Sequence, residues 1–239
     1  MIQKRESTHV YRSTMWRRCG VIATASLLGT SLLTGLGAGS ASASSSPALV
    51  MESSPESTIT DDFNPFDATE AAYGMGATGL IYEPLIQFDV AAPPKYYPWL
   101  ATQYAWSDSG KKITFTIRKG VKWNDGTPFT PADVAFTYNL IRKNAAINLG
   151  GLDISNVATS GDTVTLTFPI AQYTNLEQIA GVAIVPEHVW GKVGNPATYG
   201  DTNPVGTGPF ELSTFTPEGF TLKANPYYWQ PGLPKVKSV

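Results

Sequence analysis

Cysteine is almost missing from this chain of 239 residues, where Cys19 is the only one. It precedes an apolar run, whereas a lipid-bearing cysteine would follow one, so anchoring through Cys19 is not expected. Beyond residue 43 there is no cysteine, which excludes disulfides, cysteine nucleophiles and thiolate metal sites from that part. Histidine is nearly as scarce, with only His9 and His188. No H-E-x-x-H or paired-histidine spacing exists, so an imidazole metal site has no ligand set. A Ser-His-Asp arrangement would have to use His188, and no G-x-S-x-G elbow is present. Beside Trp190, His188 reads as a surface or packing residue. Charge is also sparse, at 15% of residues, while glycine and proline number 22 and 18. That balance favours turns and β-structure over long solvated helices.

The net charge of −2 is unevenly spread. Residues 1–43 hold Lys4, Arg5, Arg12, Arg17 and Arg18 against Glu6 alone, leaving 12 basic and 18 acidic side chains, a net −6, in residues 44–239. That sign supplies no footprint for nucleic acid and no basic face for anionic lipid. The basic start leads into the apolar run Val21–Leu36 and then Ala41-Ser42-Ala43, the small-x-small pattern accepted by signal peptidase. Glycine and serine dilute the run and no charged stop-transfer flank follows. Residues 1–43 are therefore expected to be a secretory signal cleaved after Ala43, with the product outside the cytoplasm.

Along the remainder, Ala48–Met51 is a short apolar run suited to a buried strand, Ser53–Asp67 reads as loop, and Glu70–Leu80 as a helix weakened by three glycines. Thr102–Trp106 and Lys112–Arg118 form a hairpin about Ser107–Gly110, with Ile113, Phe115 and Ile117 on its buried face. Thr130-Pro131-Ala132-Asp133 is a helix start: Thr130 is placed to cap, Pro131 needs no N–H partner, and Asp133 holds the capping-box position. Val134, Ala135, Tyr138 and Ile141 give the apolar stripe, and Arg142 and Lys143 suit the helix end. Further hairpins are expected at Ile154–Ala158 with Thr163–Phe168 and at Phe210–Phe215 with Phe220–Ala224. Short helices fit Tyr173–Ala180 and the residues after Pro186, and Lys235–Val239 reads as a strand beginning.

Gly74-x-Gly76-x-x-Gly79 has dinucleotide-binding spacing but lacks the preceding buried strand, and is read as a closely packed glycine segment. Asp61-Asp62 and Asp125 are the carboxylates a secreted carbohydrate-active hydrolase would need, which makes that enzyme, or a carbohydrate-binding surface module, the alternative class. Asp125, however, lies in Asn124-Asp125-Gly126, which is turn chemistry. Trp106, Trp123 and Trp229 are expected as core or half-buried anchors, with a minority of tryptophans free to line a cleft.

The run Ile113-Thr-Phe-Thr-Ile-Arg-Lys-Gly-Val-Lys-Trp-Asn-Asp-Gly-Thr-Pro-Phe-Thr-Pro-Ala-Asp-Val134 resembles the signature of the family 5 extracellular solute-binding proteins, the peptide, nickel and oligosaccharide binders of ABC importers. Ile81-Tyr82-Glu83-Pro84-Leu85, Val205–Phe210 and Leu222–Trp229 are similar to further family segments, in family order. The resemblance implies a two-lobed α/β fold of the periplasmic-binding-protein kind (type II, cluster C-like), with ligand enclosed between lobes by hinge closure. Members are about twice this length, so residues 44–239 are expected to be the N-terminal part of that domain, without the second lobe. It further implies capture of a small oligopeptide or oligosaccharide outside the membrane, for delivery to ABC permease subunits, by a monomer with no catalytic residue, metal or cofactor. Tyr96–Ala101 looks more like the oligosaccharide-binding branch than the dipeptide branch. By similarity Ser53, Ser54, Gly76 and Tyr82 border the ligand cleft, where backbone and hydroxyl groups would fix polar ligand atoms; the same residues also read as closing turns.

Overall fold

The structure is a computed structural model that describes residues 48–50, 58–89, 91 and 95–239. Residues 1–43 with Cys19, the segment read as a signal, and also Met51, Ser53 and Ser54, lie outside the described residues. Strand pairing is antiparallel throughout the named strands. The centre is a four-stranded sheet of β3 (Ala101–Ser107), β4 (Lys112–Ile117), β5 (Asn156–Ser160) and β6 (Thr163–Thr167), in the order β3-β4-β6-β5. Alternation in β4 does what the sequence requires: Ile113, Phe115 and Ile117 are buried, opposite Leu166 and Val164 of β6. Each such side chain contributes about 2 kcal/mol of transfer free energy.

Helix α3 (Pro131–Lys143) packs on β5 and β6. Its start is the expected capping box of Thr130 and Asp133, with one addition. The Asp133 carboxylate accepts both the Thr130 N–H (2.8 Å) and the Thr130 hydroxyl (3.0 Å), and its other oxygen accepts the Glu187 N–H at 3.1 Å. The acid, rather than the threonine, therefore ties the helix start to a second element. Val134 and Tyr138 enter one core with Leu100, Phe115, Trp123 and Leu166, whereas Ile141 enters another with Phe63, Ile81, Trp190 and Phe210. The buried Tyr138 hydroxyl donates to Ile179 O at 2.6 Å.

Two further hairpins flank the sheet: β1 (Ile86–Asp89) with β2 (Lys95–Pro98), and β7 (Phe210–Thr216) with β8 (Gly219–Ala224). The first has no counterpart in the sequence reading, because all four β2 residues are exposed and carry no alternation. The Glu70–Leu80 helix is two short ones, α1 (Ala71–Gly74) and α2 (Ala77–Ile81), broken at Gly76 with φ +79°. Helices α4 (Leu176–Ala180) and α5 (Glu187–Trp190) are equally brief. Ala48 is not in a buried strand: it makes an isolated parallel bridge to Ser238, and Leu49 and Val50 are exposed. Val239 does pair with Leu222 of β8 through two backbone hydrogen bonds. Among the described residues no helix is long and apolar enough to cross a membrane.

Candidate functional site

The segments that stand out in the sequence meet at Glu83, a buried carboxylate (2% exposed) just after α2. Its Oε1 accepts the Trp99 indole N–H at 2.7 Å and the Tyr228 hydroxyl at 3.2 Å, and its Oε2 accepts the Trp229 indole N–H at 2.9 Å. Burial holds its pKa above the usual carboxylate value, partly offset by these donors. The two indoles meet edge to face, 5.4 Å between centroids, and the Arg118 guanidinium covers Trp229 at 4.3 Å while its Nε donates to Trp99 O at 2.6 Å. Gly206 and Gly208 close the seam from the other side, since a Cβ on either would collide with the carbonyl oxygens of Leu80 or Ile81. Gly208 N–H donates to Ile81 O at 2.8 Å, and the Asn225 amide donates to Gly208 O at 2.8 Å. These residues are scaffold: their polar groups are turned onto one another.

Beside that seam lies a concavity of about 600 Å³, within the range of small-ligand sites. Its walls come from separate stretches: Phe66; Tyr73, Gly76 and Gly79 of the α1–α2 region; Gln87 and Phe88 of β1; the loop after α3 with Leu149; and Glu177 and Gln178 of α4. Tyr73 and Leu149 are 39% and 55% exposed, so apolar surface there is open to an occupant. None of the tryptophans lines it.

Of the expected site residues, Gly76 and Tyr82 both line this concavity, and Ser53 and Ser54 are outside the described residues. Tyr82 differs from expectation in one particular. The residue is 2% exposed, and its hydroxyl is taken up by Asp201 Oδ2, to which it donates. Burial, and then the charge of Asp201, pushes the Tyr82 hydroxyl well above its ordinary pKa. Burial likewise raises Asp201 to about 6, against the lowering effect of the Tyr82 and Tyr199 hydroxyls. Asp201 occupies the left-handed region at φ +44°, and its Oδ1 has no partner among the described residues. No local sequence signal marks Asp201, which only the fold brings to Tyr82.

The other candidates resolve into structure. His188 Nε2 lies 2.7 Å from Asp125 Oδ2, and Thr127 donates its hydroxyl to Asp125 Oδ1 at 2.7 Å. The Thr127 hydroxyl donates to the acid and lies 3.5 Å from His188 Nε2, and the trio pins the Asn124–Thr127 turn to α5. Burial raises the Asp125 pKa, but the Thr127 and His188 hydrogen bonds outweigh it and the net shift is downward. Asp62, Asp67 and Glu70 bring one oxygen each within 4.8 Å, but Asp62 and Asp67 accept donors of their own loop from Asn64 and Thr69. Gly74, Gly76 and Gly79 are not closely packed: a Cβ on any of them would meet open space, and Gly76 alone needs glycine, for its positive φ. Glu177 is the single carboxylate lining the concavity, so no acid pair flanks it among the described residues.

Comparison with known proteins gives concordant results. The family model of bacterial extracellular solute-binding proteins, family 5 middle region, matches residues 95–239. Protein XP55 of Streptomyces lividans is 35% identical over 174 residues, covering 70% of this chain and 31% of its own length. The glutathione-binding protein GsiB of Salmonella typhi is 30% identical over 185 residues, covering 74% and 35%. The chain thus spans about a third of the length of these curated relatives. Among solved structures, a mannohexaose-bound periplasmic oligopeptide-binding protein of Thermotoga maritima aligns with TM-score 0.64 and 29% identity over 72% of this chain and 32% of that one. The oligopeptide-binding protein AppA of Bacillus subtilis, in complex with a nonapeptide, aligns with TM-score 0.64 and 25% identity over 76% and 37%.

Proposed function

This chain belongs to the family 5 bacterial extracellular solute-binding proteins, and from that premise we propose that it forms one wall of a two-lobed receptor that captures oligopeptides or oligosaccharides outside the membrane and hands them to the permease subunits of an ABC importer. Residues 1–43 are its export signal, removed near Ala43, and residues 44–239 form the N-terminal part of the binding domain, which works as a monomer. The observation that carries the reading is the concavity of about 600 Å³ whose wall combines aromatic surface, amides and a single carboxylate. Such a wall suits binding and orienting, and among the described residues it carries no acid pair of the kind glycoside hydrolysis uses. Gly76 sets the backbone turn at its edge, and Ser53 and Ser54 are assigned to the ligand by family resemblance alone. Affinity then depends on closing a second wall over the ligand and excluding water between the two.

The test is calorimetry of the two-lobed protein against oligopeptides and oligosaccharides, followed by mass analysis of the recovered ligand. Stoichiometric binding with the ligand unchanged is expected. Turnover of the ligand would overturn the receptor reading in favour of a hydrolase, and affinity confined to polymer or cell surface would favour the surface module. The 239-residue chain alone should bind either ligand class only weakly, because it supplies one wall.

A further inference from the structure

Resting on the assignment of the concavity as the ligand wall, we infer that its occupant is an uncharged, hydroxyl-rich ligand, an oligosaccharide, and not an anionic peptide. The argument begins with what the wall lacks. No Lys, Arg or His is among the described residues that line it, and the undescribed stretches 51–57 and 92–94 contain none either. Of the cations close in sequence to the lining, Arg142 donates to Ser155 O at 2.9 Å, Lys95 stands opposite Asp89 in the β1–β2 register, and exposed Lys143 is not among the lining residues. Helix dipoles do not replace them. Helix α2, which starts beside Gly76, has five residues, and the first turn of α4 already carries Glu177. A ligand carboxylate placed here would lose water, gain no cation and face Glu177, which is unfavourable on every count.

What the wall has suits a sugar. Tyr73 presents an exposed ring, and Phe88 meets Tyr96 edge to face at 5.1 Å, Tyr96 itself being 56% exposed. Flat aromatic faces of this kind cover the C–H faces of pyranose rings. The exposed Gln87 and Gln178 make no side-chain hydrogen bond among the described residues, so both amides are free to take hydroxyls as donor and acceptor together. Glu177 adds an acceptor for further hydroxyls.

The test uses isotope-labelled 239-residue chain and three probes by NMR: mannohexaose, trialanine and glutathione. Mannohexaose at millimolar concentration is expected to shift the amide resonances of Tyr73, Leu149 and Gln178, with an affinity that does not change with salt. Tyr73→Ala should weaken it about fivefold. Gln178→Lys, at an exposed position, should create a salt-sensitive response to glutathione that the parent lacks. Shifts of those same resonances by trialanine or glutathione, with mannohexaose silent, would overturn the sugar assignment and leave the pocket as the site. Shifts confined to another part of the chain would overturn the pocket as well. Silence with all three probes would equally refute the sugar-binding wall.

Discussion

Replacing Glu83 by alanine removes the acceptor on which Trp99, Tyr228 and Trp229 converge at 2.7, 3.2 and 2.9 Å. Three donors are then left facing the space of a missing side chain. All three are half-buried, so water reaches them only in part and each lost bond lies near the low end of the cost of a stranded donor, about 1 kcal/mol. The vacated methylenes add a packing loss of about 1 kcal/mol. Against this, removing a buried carboxylate relieves its desolvation, the same effect that raises its pKa. The balance is a destabilisation of about 2–3 kcal/mol. Glu83→Gln should lose less, about 1–2 kcal/mol, since the amide oxygen still accepts while its NH₂ group opposes one indole N–H. The assay is urea denaturation of a form that unfolds cooperatively, read by fluorescence, with near-ultraviolet circular dichroism reporting the edge-to-face pair Trp99–Trp229. If the alanine variant unfolds within about 0.5 kcal/mol of the parent and keeps the aromatic dichroism, Glu83 does not organise the seam and the reasoning fails.

Two more outcomes are expected by the same measurements. Gly206→Ala should destabilise by about 2–3 kcal/mol, because its Cβ meets the Ile81 carbonyl, whereas Gly79→Ala, in α2 with open space around it, should be neutral or stabilising by up to about 1 kcal/mol; equal effects would contradict the packing described. Asp201 has a folded-state pKa raised to about 6, so its contribution to stability is complete below the ordinary Asp value and is lost as pH rises through about 6. Asp201→Asn, which keeps an acceptor for Tyr82 and tolerates positive φ, should therefore flatten the stability–pH curve between about 4 and 6 by about 3 kcal/mol at most. An unchanged curve would place the titration elsewhere.

How much of this was legible in the sequence depends on how local each feature is. Alternation through Ile113, Phe115 and Ile117 marks β4 because one face of a sheet repeats every second residue. The Thr130–Asp133 pattern marks the start of α3 because capping is settled within one turn, although the second bond of Asp133, to Glu187, lies beyond any local rule. The β1–β2 hairpin leaves no such mark, since β2 buries no residue. The family-like segments were legible as words but not as contacts. Structure brings Ile81–Leu85, Val205–Phe210 and Leu222–Trp229 together in the Glu83 seam, while Tyr82 and Pro84 also line the concavity. The concavity draws short groups of residues from several separate stretches, and no periodicity links Tyr73 to Leu149 or Gln178. The glycine triplet at 74–79 misleads for the converse reason: its spacing is striking only in sequence, while the glycines that carry close packing are Gly206 and Gly208.

The Glu83 seam also sets an order of events as the chain is made. Its bonds to Tyr228 and Trp229 span 145 and 146 residues, so the carboxylate has no way to complete its partners until residue 229 has emerged. Contacts of such sequence separation delay folding, because the intervening chain must be ordered before they reward it. The local hairpins β3–β4 and β5–β6 have no such wait. The Glu83 seam therefore locks later than those hairpins, through a latch of two aromatic rings, Tyr228 and Trp229.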